Sequence, residues 1–451
     1  MSAYAVSARG LAGRKVPQGT LTPMGALLFS ASEPGAWYDP SDMSTLFQDS
    51  AGTVPVTAVE QPVGRILDKS GRGNHAIQAT TTKRPVYSRR VNLLTKTEDF
   101  QDGAWITPPS GTVKSNNAGT DPLGGGTAGK SECAQAGAVF YVANATASAL
   151  IPGATYRVTC SVRNGAGVPS ITFYNGKYGA YKSATINLIT GAVTDSNYTT
   201  PPVASVSGDG WVSISVDILA PDTTGVYCYI QSIAPPAVGD HFFIWRPSLT
   251  LATDAHLPYQ WVNTATDYDA DPAKFPAYLR FDGVDDALQT GNIDFTSTDK
   301  MTVWAGITKL SDAVTGTVVE LSASKNANNG VFALFAPLSV SPDISWYSKG
   351  TNERLVSSTS ESAPVTRVIT GIGNISGDIS SLRVNGAVVQ TATADQGPGN
   401  FGNYPLYIGA RAGTSLYFNG RLYSLIVRGA QTPLSQIEAA ERYIKQKMRL
   451  P

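Results

Sequence analysis

The chain has 451 residues, of which 42% are hydrophobic and only 15% charged, with 34 basic side chains balanced by 34 acidic ones. That is apolar mass for roughly two to four domains with proper cores, and a formal net charge of zero leaves no long-range field to gather nucleic acid or an anionic membrane. With 44 glycines, 28 prolines and abundant Ser, Thr, Val and Tyr, the composition is turn-rich and mainly β.

Residues 1–33 lack the periodicity to pack alone and read as an extended arm that orders against a partner. Within it, Met24 to Ala31 is too short for a secretory signal core and follows Pro17, Gly19 and Pro23. Nowhere does an apolar run approach the roughly 18 residues needed to span a bilayer. Further on, Asp68-Lys69-Ser70-Gly71-Arg72-Gly73-Asn74-His75-Ala76 is a polar turn. Past the turn Pro152-Gly153, the apolar residues Tyr156, Val158, Cys160 and Val162 alternate with Arg157, Thr159, Ser161 and Arg163. Val212, Ile214, Val216 and Ile218 repeat that period of two, so both stretches are strands with one solvated face. Thr302 to Ile307 and Val331 to Phe335 read as buried strands. Leu382 to Val389 is a hairpin, because Asn385-Gly386 tolerates the positive φ angles of a type I′ turn. One helix closes the chain: Pro433 suits a first helical position, and Leu434, Ile437, Ala440, Ile444 and Met448 form one apolar stripe.

Asp68 to Ala76, together with Tyr278-Leu279-Arg280-Phe281-Asp282-Gly283-Val284-Asp285-Asp286-Ala287-Leu288, resembles the two halves of one laminin-G-like (concanavalin-A-like) β-sandwich. Such halves normally lie a short loop apart. Here a domain's worth of sequence separates them, which reads as one domain inserted into another. Trp37 to Asp49, Pro62-Val63-Gly64, the Asp68 turn and Arg84-Pro85 together resemble a module of tailed-bacteriophage virion proteins. Asn92 to Phe100 with Trp105, and Phe242 to Leu249, resemble the opening and closing of a carbohydrate-binding-module-like jelly roll. The implied order is an N-terminal virion-docking arm (1–33), the first part of the laminin-G-like sandwich (34–90), an inserted jelly roll (91–262), a linker (263–277), and the second part of the sandwich with the C-terminal helix (278–451).

No catalytic constellation emerges, so the chain is expected to bind rather than catalyse. Glycoside hydrolysis needs two carboxyl groups facing each other across the scissile bond, whereas the adjacent Asp285 and Asp286 alternate faces on an extended strand. Asp39, Asp42 and Asp49 suit turns and caps. His75, His241 and His256 have no metal-ligand spacing, and no nucleophile elbow, P-loop or dinucleotide fingerprint is present. The laminin-G resemblance implies calcium as a ligand of such folds, with Asp282, Asp285 and Asp286 the nearest oxygen donors, but turn chemistry accounts for these residues and no metal or cofactor is expected. Cys160 and Cys228 fall on the inward phase of their strands as small hydrophobes, with a disulfide between them open if the strands are neighbours.

The candidate binding residues lie in Phe173 to Lys182, where aromatic rings alternate with glycines and an amide. Tyr174, Asn175, Tyr178 and Tyr181 offer flat faces for sugar C–H groups and partners for hydroxyls, and Tyr227 and Tyr229 add to the platform from an outward strand phase. Packing under loops or against a neighbouring subunit is the competing use of these rings. The phage resemblance implies a particle-surface protein, a tail-fibre or tail-tip component. Its expected partners are other virion proteins, through the arm, and a host-surface glycan, with a homotrimer by analogy to fibres. A purely structural head-decoration or baseplate protein and a glycan-depolymerising tailspike are the rival readings.

Overall fold

The structure is a computed structural model that describes residues 23–108, 111–145, 150–176, 181–220, 226–233, 236–339 and 341–451. Its first β-sandwich is built from both ends of the chain. Among the described residues it has two nine-stranded sheets, and in each the two chain segments pair directly. In one sheet, Gly35–Tyr38 pairs with Asn419–Arg428, and Val86–Ser88 lies between Gln61–Pro62 and Tyr278–Asp282, with Leu279 opposite Tyr87. In the other, Ile77 of Ala76–Ile77 pairs with Gln289 of Leu288–Asp294. The inner faces supply one core that mixes Tyr38, Ile66 and Tyr87 from the first segment with Phe281, Val303, Phe332 and Leu425 from the second. Neither segment could bury its half alone, since a sheet with one uncovered apolar face must find another layer.

Between these segments the chain builds a separate jelly roll of two six-stranded sheets. One contains Thr155–Ala166 paired with Trp211–Leu219, Cys160 opposite Ile214 and Val162 opposite Val212, so the two alternating stretches are neighbours. The other contains Ser170–Gly176 beside Val226–Ser232. Their inner faces share a core that includes Phe140, Val158, Ile171, Phe173, Ile230 and Phe242. Cys133, Cys160 and Cys228 are buried free thiols. Cys160 and Cys228 meet across the two sheets, and the hydrogen bond between them, with burial, pushes the Cys160 thiol well up.

The junction is polar and buried. Gln260 accepts from the Val91 and Asn92 backbone N–H groups and donates to the Arg89 and Asp269 carbonyls, tying the outgoing and returning strands of chain together. Asp254 of the jelly roll meets Arg421 of the sandwich at 2.6 Å, with both side chains under one-tenth exposed, and the Arg421 guanidinium stacks on Tyr278. The stretch 263–277 is structured rather than bare: Val262–Thr264 pairs with Asp267–Tyr268, and the Tyr268 hydroxyl donates to Glu60.

Two helices cover the sheet that carries Lys300–Lys309. Helix α1, Pro23–Phe29, lies inside the stretch expected to be extended. Leu28 and Phe29 are buried, and the Leu28 carbonyl accepts from Arg428 Nε at 2.6 Å, so residues of the same chain, not only a partner, order this segment. Helix α2, Leu434–Lys447, starts one residue after Pro433, whose extended backbone (ψ 148°) makes it the cap instead of the first helical residue. Ile437, Ala440, Ile444 and Met448 are buried against Trp304, Val368, Tyr423 and Ile426, with Ile437, Ile444 and Met448 each contributing about 1.5–3 kcal/mol. Leu434, the expected first member of that stripe, is 56% exposed instead, because it sits at the helix start before the sheet is reached. Gly306 lets the helix close in: a Cβ there would stand 2.5 Å from Ile444. Glu441 reaches through the contact to a bidentate pair with Arg383 at 2.8 and 3.1 Å.

Candidate functional site

Alternation decides what the jelly roll displays. On Ser170–Gly176, Ile171, Phe173 and Asn175 are buried, which turns Thr172 and Tyr174 to the opposite face. On Val226–Ser232, Cys228 and Ile230 are buried and Tyr229 and Gln231 face outward with Tyr174; Tyr174 and Tyr229 are direct cross-strand partners. Tyr141, next to buried Val142 on Tyr141–Ala145, completes the row opposite Gln231. The Tyr174 and Tyr229 ring centroids are 4.8 Å apart, as are those of Tyr141 and Tyr229. Tyr181 stands edge-on to both Tyr174 and Tyr229 at 5.8 Å.

Four half-buried rings therefore make one aromatic floor. Ser183 and Thr185, the cross-strand partners of Tyr174 and Thr172, border it with hydroxyls. None of these outward positions is charged. The Tyr229 hydroxyl donates to Gln231 Oε1 at 2.9 Å, and burial, with Tyr141, Tyr174 and Tyr181 around it, holds its pKa above the ordinary phenol value. Across ordinary pH the Tyr229 hydroxyl keeps its proton. Such a surface stacks on the C–H face of a sugar ring and offers Gln231 and the hydroxyls as hydrogen-bond partners.

Of the residues singled out from sequence, Tyr174, Tyr181 and Tyr229 come together here. Asn175 does not: its side chain points into the core, where Oδ1 accepts from the Tyr198 hydroxyl at 2.6 Å, because it shares the inward phase of Phe173. Tyr178 lies outside the described residues, as does the Tyr227 side chain. Tyr141 was missed, since Phe140-Tyr141-Val142 is a short apolar run whose phase the sequence leaves open.

The carboxylates have structural employment. Asp68 accepts from the Trp37, Ser70 and Asn74 backbone N–H groups and from the Ser70 hydroxyl, and His75 Nδ1 accepts from the Asp68 N–H at 3.0 Å. The polar turn is thus a self-satisfied knot that holds Gly35–Tyr38 in its sheet. Among the described residues, Asp282, Asp285 and Asp286 form the one cluster able to hold a cation, with ligand atoms within 4.8 Å of one another. Asp282 accepts from the Val284 and Asp285 N–H groups, and Asp286 from the Asp282 N–H at 3.0 Å. Burial, reinforced by Asp282 and Asp285, pushes Asp286 up to about 7. Three carboxyl groups on one turn do not flank a glycosidic bond from two sides, the arrangement hydrolysis needs.

A family model described as the concanavalin A-like lectin/glucanases superfamily matches residues 282–430. No curated protein matches the chain. Among solved structures, the chain is similar to the Ruminococcus gnavus IT-sialidase CBM40 bound to α2,3 sialyllactose, at 15% identity and a TM-score of 0.27, over 32% of this chain and 83% of that one. It is also similar to the botulinum neurotoxin serotype D binding domain, at 10% identity and 0.30, over 37% and 42%. A third likeness is to the native heptameric SAP-like pentraxin of Limulus polyphemus, at 13% identity and 0.29, over 36% and 80%. Each likeness spans about a third of this chain. The returning segment of the interrupted sandwich thus carries a lectin-like domain of the concanavalin-A-like kind.

Proposed function

We propose that this protein is a non-enzymatic surface component of a bacteriophage virion, a tail-fibre or tail-tip protein that engages host-surface glycans through the tyrosine floor of its jelly roll. The observation that carries the glycan reading is the neutral floor of Tyr141, Tyr174, Tyr181 and Tyr229, with its rings 4.8–5.8 Å apart on the outward face of one sheet. The lectin-like domain beside it is in keeping with that role. The phage setting rests on the motif run from Trp37 to Arg84-Pro85. In this reading the N-terminal arm, residues 1–33, docks to other virion proteins and a homotrimer displays several floors at once, so that weak single-sugar contacts multiply into useful avidity.

The test is a glycan array probed with the whole chain and with a Tyr174→Ala/Tyr229→Ala variant. Binding to a host glycan that drops at least about tenfold in the variant, a loss of about 1.4 kcal/mol, is expected. No binding to any glycan, with incorporation into particles intact, would replace glycan attachment by a purely architectural role. Release of reducing ends from host polysaccharide would make it a depolymerising enzyme instead.

A further inference from the structure

A cleft of about 290 Å³ opens where the returning stretch before Tyr278 meets the end of helix α2. Phe275, Pro276 and Ala277, all buried, back it, and Pro272 stands exposed at its rim. Arg89, Lys447 and Arg449 also line it, with Gln446, and no acidic side chain does. The nearest acids are already engaged. Asp39 is fully buried and bonded to Lys447 at 3.1 Å, to Lys69 at 3.6 Å and to the Ser41 and Tyr443 hydroxyls. Asp271 pairs with Lys274 at 3.5 Å and also feels the Arg449 charge, so Arg449 is partly balanced from outside the cleft.

The two guanidinium groups keep donors in hand, whereas Lys447 is held by Asp39 and the Ser41 hydroxyl. Arg89 spends Nε on the Tyr87 hydroxyl and Nη1 on the Phe275 carbonyl, and among the described residues its Nη2 has no partner. Arg449 spends Nη2 on the Pro272 carbonyl and keeps Nη1. The C-terminal end of α2 brings about half a negative charge, which Lys445, Lys447 and Arg449 outweigh. A guanidinium that is only 5% exposed and still has a free N–H edge favours an oxyanion, which accepts from several donors at once.

We infer that this cleft binds one monosaccharide unit bearing an oxyanion, carboxylate or phosphate. The oxyanion faces Arg89 and Arg449 with Lys447 beside them, the ring lies against the exposed Pro272 at the rim, and the Gln446 amide meets a hydroxyl. The inference does not depend on the tyrosine floor, whose neutral lining suits a different sugar.

Calorimetric titration of the full chain with glucuronate, glucose 6-phosphate, glucose and inorganic phosphate tests it. At least one acidic sugar is expected to bind with a dissociation constant on the order of 1 mM, and which of the two binds tighter identifies the oxyanion. Glucose and inorganic phosphate are each expected to bind at least about tenfold more weakly, since one lacks the charge and the other the ring. Arg449→Glu, at an exposed position that should leave the melting temperature unchanged, is expected to weaken the acidic sugar by the same factor, and Tyr229→Ala to leave it untouched. Glucose binding as tightly as the acids would overturn the inference. So would saturation by neither acid, acid binding insensitive to both Arg449→Glu and Lys447→Met, or inorganic phosphate matching the sugars.

Discussion

Individual charges in this chain differ in worth according to what surrounds them. Arg421 and Asp254 are desolvated together at the junction, so removing one partner strands the other. Arg421→Met is expected to cost about 3–5 kcal/mol in denaturant unfolding, and Arg421→Met/Asp254→Leu to recover much of that. The Arg157–Asp217 pair is bidentate but 39% exposed on each side, and Arg157→Ala should cost no more than about 1 kcal/mol. Asp286 shows the opposite balance. Its carboxyl holds a proton up to about 7 in the folded chain, so the folded state binds more protons than the unfolded one between the ordinary carboxylate range and about pH 7. Stability therefore falls as pH rises through that window. Across pH 4–8 the wild-type melting temperature minus that of Asp286→Asn, which still accepts from the Asp282 N–H, should fall as pH rises; a difference that rises with pH would contradict it.

At the scale of elements, period-two alternation was the most legible signal, because a strand with one wet face must alternate. It placed Tyr156 to Val162 and Val212 to Ile218, which prove to be paired neighbours, and it turned Tyr229 outward. It failed where both faces are covered or where the run is short, which is why Tyr141 went unnoticed and Asn175 was assigned to the wrong face despite sharing the phase of Phe173. The hairpin was legible for a chemical reason: Asn385 and Gly386 adopt φ of 50° and 88°. Gly386→Ala is expected to destabilise by about 1–2 kcal/mol, and an unchanged melting temperature would contradict the turn assignment. Helix α2 was legible as a stripe, but the burial of Glu441 was not, since the sequence gives no sign that Arg383 on a distant strand awaits it. Arg383→Met leaves that carboxylate buried and should loosen α2, read as faster amide exchange along Leu434–Lys447 than elsewhere.

For the molecule as a whole, the separated halves of the lectin-like signature were enough to anticipate an interrupted sandwich, because together they resemble the two halves of one laminin-G-like domain. The polar junction was not foreseeable: Gln260, Asp254 and Tyr268 are ordinary residues until the fold brings them against Arg89, Arg421 and Glu60. That junction seats the inserted jelly roll, with its tyrosine floor, on the sandwich. Glycan attachment by this chain requires that sugar land on that floor. Titrating the isotope-labelled chain with the best glycan from the array, while following amide and ring resonances, tests it most directly. Shifts concentrated at Tyr141, Thr172, Tyr174, Tyr181, Tyr229 and Gln231 are the predicted result; a saturable glycan that leaves these six still and perturbs another surface would contradict it.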